Sequence, residues 1–257
     1  MRHAIAFLLL FSFLCTQAQR GARKHFYELK VYEYTTEAQE QVIDQFLGAA
    51  YIPFMKKQGV GPIGAFSSRG NDTSRVKRIF VIVPYDDIRK IPILNRQLMG
   101  DAEANAAAAN YFNASSEQPA YDRIVTSILE GFRLAPTLQV PSLTSSINDK
   151  VYELRSYESA SEKKYWKKVE MFNEGGEIEI FSRLQFNAIF YAEVISGPTM
   201  PNLVYMTSFE NMDARNAHWQ AFRDDPQWKA LLAMKEYDKT VSKNVTLFLK
   251  AKSYSQY

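Results

Sequence analysis

The sequence predicts an α+β protein built from two copies of one antiparallel strand–helix–strand unit. Three observations carry this. Tyr27-Glu28-Leu29-Lys30-Val31-Tyr32-Glu33 recurs as Tyr152-Glu153-Leu154-Arg155-Ser156-Tyr157-Glu158, 125 residues later, with five of seven positions identical and Lys30 answered by Arg155. The same order of patterns follows each copy: a strand, a helix, two strands, more helix and a closing strand. A stretch rich in Pro, Ser and Thr without periodicity, Ala135–Asp149, separates the two. A period this long marks a duplicated domain, since solenoid repeats run about 20–50 residues.

Each element has a local reason. Phe26–Glu33 alternates apolar and polar residues as a half-buried strand does. Thr36 is a suitable N-cap, and Val42, Ile43, Phe46, Leu47 and Ala50 then form one apolar helical stripe. Pro53 disturbs that helix near its end, and Gly59 and Gly61 stop it. Pro62–Ser68 and Lys77–Pro84 read as strands joined through Gly70-Asn71-Asp72. The alanine-rich run Asp101–Phe112 reads as helix, and Ile128–Leu134 as a closing strand. In the second half Val151–Glu158 is the repeated strand, Glu162–Asn173 a helix ended by Gly175-Gly176, and Glu177–Leu184 a further helical turn without a first-half counterpart. Asn187–Ile195 and Asn202–Phe209 are strands on either side of a Gly/Pro-rich connection. Asn211 caps a helix running to Phe222, Pro226 opens another, and Asn244–Ser253 is the last strand.

Composition bounds the function. The chain has 257 residues, 46% hydrophobic and 23% charged, which is ordinary for a globular protein. A net charge of +3 with no basic run gives no electrostatic footprint for nucleic acid. Residues 1–19 differ from the rest: Arg2 and His3 precede an apolar run from Ala4 to Leu14, then Cys15-Thr16-Gln17-Ala18-Gln19. This is the pattern of a cleaved secretory signal, and the run is shorter than the roughly 20 residues of a membrane span. The expected location is secreted or periplasmic, with no membrane association after cleavage. Lipid anchoring at Cys15 is disfavoured by Phe13 and Leu14, where small residues belong. Cys15 is the only cysteine, so the mature chain would have no disulfide or thiol chemistry.

The combination of Tyr-Glu-Leu-(Lys/Arg)-x-Tyr at 27–32 and 152–157, Ile52-Pro53-Phe54 before Gly59, and His218-Trp219-x-x-Phe222 followed by Asp225-Pro226-x-Trp228 resembles the NIPSNAP family of the dimeric α/β-barrel superfamily. The resemblance spans most of residues 26–250. It implies tandem ferredoxin-like domains, 25–134 and 150–254 with a linker at 135–149, whose antiparallel sheets face each other in a pseudo-dimeric α/β barrel. The first half departs from it, with Ala108 and Ala109 standing where the second half has His218 and Trp219. Members of the family have poorly defined activity, and related barrels include cofactor-independent monooxygenases.

The candidate site follows from alternation. On each repeated strand one face carries Tyr27, Leu29 and Val31, or Tyr152, Leu154 and Ser156, and this face should meet the helices. The other carries Glu28, Lys30 and Tyr32, or Glu153, Arg155 and Tyr157, and would point into the barrel. Charge there must be paired or wet, which suggests a polar cavity for an anionic or carbonyl-bearing ligand. The competing reading is that these residues form cross-strand pairs that only secure the sheets. His218 is the sole histidine in a core-like segment and the one candidate acid or base, although a lone histidine is more often a packed residue. No metal site is expected, because no ligands cluster. No phosphate loop or dinucleotide spacing occurs, so no cofactor is named; haem or flavin would need no motif in such a barrel. The functional expectation is an exported binder of a small organic molecule in or near the barrel. The alternatives are a cofactor-independent small-molecule enzyme and a structural interaction module. Self-association into a homo-oligomer stays open.

Overall fold

The computed structural model describes residues 24–257 apart from Asp72. The expected secretory signal at residues 1–19 lies outside the described residues. Eight strands close into one antiparallel barrel in the order β1-β3-β2-β8-β5-β7-β6-β4. The first half supplies β1 (Phe26–Tyr34), β2 (Gly64–Ser68), β3 (Lys77–Tyr85) and β4 (Arg123–Gly131). The second supplies β5 (Val151–Glu158), β6 (Ala188–Ser196), β7 (Asn202–Phe209) and β8 (Lys243–Ala251). Within each half the repeated strand lies between two others: β1 pairs with β3 and β4, and β5 with β7 and β8. The halves meet where β2 pairs with β8 and β4 with β6. Closure leaves no sheet edge open.

Helices cover the outside of the barrel. In the first half α1 (Glu37–Gln45) begins at Thr36, whose hydroxyl accepts from the Gln39 N–H at 3.2 Å while Gln39 Oε1 accepts from the Thr36 N–H at 3.1 Å. This reciprocal pair satisfies two donors that a helix start leaves unpaired. The helix does not break at Pro53. Proline cannot donate to the carbonyl one turn back, and the chain widens into π-helical geometry over Phe46–Tyr51, with the Ile52 N–H reaching back to the Leu47 carbonyl. It resumes as α2 (Ile52–Lys57) and ends at Gly59, whose φ of +71° suits glycine. Then come α3 (Lys90–Gly100), α4 (Ala102–Ala107) and α5 (Ala109–Phe112). The second half has α6 (Glu162–Asn173), α7 (Glu177–Arg183), α8 (Met212–Asp224) and α9 (Pro226–Leu232). Asn211 caps α8 through the Ala214 N–H, and Asp225 caps α9, whose first residue is Pro226.

Two expectations about elements change. The closing strand of the first half begins at Arg123 rather than Ile128, because the whole length of β1 needs a partner and pairs as far as Glu33↔Arg123. Helix α3 lies in a stretch where no helix was expected, although Ile91, Leu94 and Leu98 give it a buried stripe.

Three apolar clusters result. One fills the barrel with residues of both halves, including Tyr27, Leu29, Phe66, Ile82, Tyr152, Leu154, Phe190 and Met206. The others lie between sheet and helices, one in each half: Tyr32, Ile43, Leu47 and Tyr51 belong to the first, and Tyr157, Phe172, Phe181 and Trp219 to the second. The expected orientation of the repeated strand is therefore reversed. Tyr27, Leu29, Tyr152 and Leu154 face into the barrel; Glu28 and Tyr32, Glu153 and Tyr157 lie under the helices. The physical reason is supply. Closed eight-stranded barrels are just wide enough to be filled by side chains, and on the outer face the helices add donors to a buried carboxylate, as Arg215 and Trp219 do for Glu153.

The C-terminal residues of the second half strap the first. Gln256 and Ser255 side chains accept from the Ile63 and Ala65 N–H groups, at 2.6 and 3.0 Å. Lys252 Nζ pairs with Glu40 and Asp44, and the Tyr254 hydroxyl donates to Asp44 at 2.6 Å. Tyr257 packs its ring over Gly64, where a Cβ would fall 2.4 Å from the Tyr257 ring and 2.6 Å from that of Phe66. Gly64→Ala should therefore cost about 1–3 kcal/mol through overpacking. Chemical denaturation should show a lower midpoint with an unchanged slope.

Candidate functional site

The six charged and phenolic residues of the repeat form two buried clusters, one in each half. In the second half Glu153 is fully buried and saturated. Arg155 Nε donates to Oε1 at 2.8 Å, Arg215 donates to Oε2 and Oε1 at 2.8 and 2.9 Å, and Trp219 Nε1 donates to Oε2 at 2.8 Å. Arg155 also bonds the Tyr157 hydroxyl at 2.8 Å, Tyr157 meets the Tyr205 hydroxyl at 2.7 Å, and the Arg155 guanidinium lies 4.0 Å from the Trp219 ring centroid. Burial works to raise the Glu153 pKa, but the two guanidinium groups and the indole N–H hold it below its ordinary value. Beside it, Lys168 and Glu177 form a buried ion pair at 2.7 Å. Burial raises the Glu177 pKa despite that lysine. In the first half the matching groups are loosely held: Glu28 accepts from Tyr85 at 3.2 Å and from Asn95 at 3.5 Å, and Lys30 Nζ stands 3.6 Å away. Tyr32 lies against the Tyr121 ring and beside Tyr111.

His218 is elsewhere. It lies on α8, one residue before Trp219, and lines an open cleft of about 570 Å³. The linker contributes Thr137 and Gln139, α7 contributes Phe181 and Ser182, and the turn into β6 contributes Gln185 and Asn187. That turn has an unusual backbone. Gln185 and Asn187 have φ of +55° and +44°, and Phe186 between them is buried, stacked edge-on against Trp219 at 4.9 Å. Left-handed backbone at non-glycine residues costs of order 1–3 kcal/mol and collects at functional sites. Here it turns Phe186 inward and leaves two amide-bearing residues exposed at the cleft. The linker wall is secured by the Gln139 N–H, which donates to the Ile189 carbonyl at 2.8 Å.

The geometry settles the His218 tautomer. Nδ1 lies 2.8 Å from the Leu184 carbonyl, which can only accept, so Nδ1 carries the proton. In the neutral ring Nε2 is then an acceptor, and no described protein group bonds it. Edge and tilted contacts with Phe186 and Phe209 hold the ring. No charged side chain lines the cleft. Among the described residues no group of three or more His, Cys, Asp or Glu side chains could hold a metal ion.

The C-terminal half has a recognisable sequence as well as a site. Residues 152–256 match the NIPSNAP family model. This half is similar in sequence to a NIPSNAP domain. It holds both the Glu153 cluster and His218. No curated protein sequence matches the chain. Among solved structures the chain is similar to a putative monooxygenase from Lactobacillus acidophilus, at 10% identity and a TM-score of 0.55 over 89% of this chain and 94% of that one. A putative monooxygenase from Fusobacterium nucleatum gives 8% identity and 0.54 over 90% and 93%. A NIPSNAP family protein of unknown function from Agrobacterium tumefaciens is 20% identical over 42% of this chain and 93% of that one, with a TM-score of 0.35. At these identities the two full-length likenesses show a shared dimeric α/β-barrel fold.

Sequence reasoning singled out His218 and the six repeat residues, and the structure separates them into three places. It missed Arg215, which shares a helical face with Trp219 four residues on. Spacing gave that signal, but nothing showed that the carboxylate of Glu153 lay beneath both. Ser182, Gln185 and Asn187 carried no signal, because the cleft depends on a local left-handed turn. Glu153→Ala should cost about 3–5 kcal/mol, since it strands two guanidinium groups. The depressed Glu153 pKa also fixes a sign. Its contribution is complete above the ordinary carboxylate value of 4.5 and is lost as pH falls through the lower folded value. Urea unfolding of Glu153→Gln across pH 3–6 should show that acid-side slope reduced.

Proposed function

We propose that this protein binds a small neutral organic molecule in the His218 cleft. The observation that carries the reading is the oriented imidazole. Leu184 holds Nδ1–H, and Nε2 has no protein partner in a cleft of about 570 Å³ that has no charged lining. Ligand pockets commonly have volumes of about 300–1,000 Å³, with mostly apolar walls and a few placed polar groups. Phe181, Phe186, Phe190 and Tyr191 give the apolar wall, and Ser182, Gln185 and Asn187 the polar rim. The matching ligand has an apolar body and one O–H or N–H directed at Nε2. The composition of residues 1–19 supports an exported, secreted or periplasmic setting for this binding.

A cofactor-independent enzyme is the second reading. The same unpaired Nε2 favours it, because a base must reach the proton it removes. The barrels described as putative monooxygenases agree with it at the level of fold.

Native mass spectrometry of protein purified from its own host tests the first reading. The expected result is a retained small molecule that is absent from Ser182→Trp, which fills the cleft from an exposed position on α7. His218→Ala should weaken rebinding of that molecule about tenfold, the worth of one hydrogen bond of about 1.4 kcal/mol. A molecule retained equally by Ser182→Trp overturns the assignment. Consumption of the retained molecule in air by the wild type, lost in His218→Ala, would decide for the enzyme.

A further inference from the structure

A second histidine fastens one wall of the His218 cleft from the other half of the chain. That wall is the linker, which contributes Ala135, Thr137 and Gln139. His25 stands just before β1 and does not itself line the cleft. Its backbone N–H donates to the Pro136 carbonyl at 2.7 Å, and its carbonyl accepts from the Gly131 N–H at 2.9 Å. Its ring reaches the same stretch of linker: Nδ1 accepts from the Leu138 N–H at 3.2 Å. A backbone N–H can only donate, so this Nδ1 carries no proton, and in the neutral ring the proton is on Nε2. The tautomer is the opposite of that of His218, whose Nδ1 donates to the Leu184 carbonyl.

Protonation of His25 would set two donors face to face, the imidazolium Nδ1–H and the Leu138 N–H, and the bond between them cannot survive. The surroundings of the ring fix the direction of its titration. Burial lowers the His25 pKa below its ordinary value of 6.5, and the carboxylate of Asp86, after β3, opposes this without overcoming it. Asp86 also pairs with Lys90 at 2.6 Å. Lys24, beside His25 in the chain, lies 3.5 Å from Glu130 on β4. Tyr27 meets the ring edge-on at 6.1 Å. The linker brings only Pro136, Thr137, Leu138 and Gln139, none of them charged. The Leu138 bond is therefore complete above the ordinary histidine value and is lost as pH falls through the lower folded value. Loss is local. The His25 N–H still holds Pro136, and the Gln139 N–H still donates to Ile189 at 2.8 Å, so the stretch set free is Thr137-Leu138. Leu138 packs against the barrel core, and Thr137 lines the cleft.

We propose that His25 is a pH-sensitive clamp on the linker wall of the His218 cleft, closed when its imidazole is neutral and released when the ring takes a proton on Nδ1. The clamp is a positioning device: His25 acts on the cleft through Leu138 and the neighbouring Thr137. Its consequence for binding rests on the His218 reading, whereas the clamp itself does not. A ligand that needs the ordered wall binds the neutral form better, so the cleft holds its molecule near neutral pH and loosens it in a mildly acidic setting. The two histidines then act in the same direction, because a proton on His218 Nε2 also removes the acceptor that the ligand meets.

Amide hydrogen exchange followed by ¹H–¹⁵N NMR on the full chain without ligand tests the clamp between pH 7.5 and 5. Each rate is divided by that of the unfolded chain at the same pH, which removes the intrinsic pH dependence of exchange. The expected result is that protection of the Leu138 amide falls about tenfold as the His25 ring titrates, with a midpoint below 6.5, while the Gln139 amide keeps its protection. His25→Asn places a carboxamide oxygen where Nδ1 stands and cannot titrate, so Leu138 should stay protected throughout. His25→Leu removes the acceptor, so Leu138 should be unprotected at both ends of the range. Constant protection of Leu138 in the wild type, a fall that persists in His25→Asn, or protection retained in His25→Leu would each overturn the clamp. The consequence for binding is read with 4-methylphenol, which stays neutral over this range and offers one O–H. Its affinity should fall toward pH 5 by a factor about three times larger in the wild type than in His25→Asn, where only His218 titrates in the cleft. Equal factors would overturn the link from clamp to cleft. Failure of the wild type to bind the phenol at pH 7.5 would overturn the His218 reading instead, and the exchange result would still decide the clamp.

Discussion

Closure of the barrel is the constraint on which the rest depends. Each half makes a four-stranded sheet with one strongly apolar face, and neither face can be left to water. Joining β2 to β8 and β4 to β6 turns the two faces toward one another and removes every edge. The interior is then a shared core, with Tyr27 and Leu29 from one half packed among Phe190 and Met206 from the other. Because side chains alternate along a strand, filling the barrel with Tyr-x-Leu forces Glu-x-(Lys/Arg)-x-Tyr outward, under the helices. The placement of Glu28, Lys30, Glu153 and Arg155 follows from that choice.

Once the charges lie under helices, the helices decide what those charges can do. Over Glu153 the helix α8 places a guanidinium and an indole N–H, and the carboxylate becomes part of a closed network with two cations. The four donors leave the Glu153 carboxylate no accepting position for a ligand. Over Glu28 the donors are Tyr85 from β3 and Asn95 from α3, at 3.2 and 3.5 Å, and the same strand motif is held more loosely. One repeated sequence therefore yields a saturated carboxylate in one half and a more loosely held one in the other. The difference resides in residues 57 to 67 positions away along the chain, Arg215 and Trp219 in α8 against Tyr85 in β3 and Asn95 in α3.

The His218 cleft arises from a different source. It forms where the linker crosses the beginning of β6 and the chain leaves α7 through two left-handed residues. Phe186 is drawn into the aromatic core by Trp219, Phe209 and Phe222, and the flanking amides are left at the surface. The imidazole is aligned by a carbonyl that the end of α7 leaves free. Core packing and site geometry are thus coupled through one aromatic side chain.

The sequence by itself determined a good deal. The repeat, the alternation and the caps at Thr36, Asn211 and Asp225 gave the α+β class, the strand order along the chain and most element positions, because these depend on neighbours in sequence. It also isolated His218 and the six residues of the repeated strand. Only the tertiary structure decided which face of that strand looks inward, since alternation defines two faces but does not say which one the second sheet covers. Only the structure decided that Glu153 is saturated and Glu28 is not, because their partners come from helices distant in sequence. The π-helical run and the left-handed turn around Phe186 were also invisible beforehand, as each is a backbone response to packing. Local chemistry wrote the elements; the closing of two sheets on one another assigned their faces.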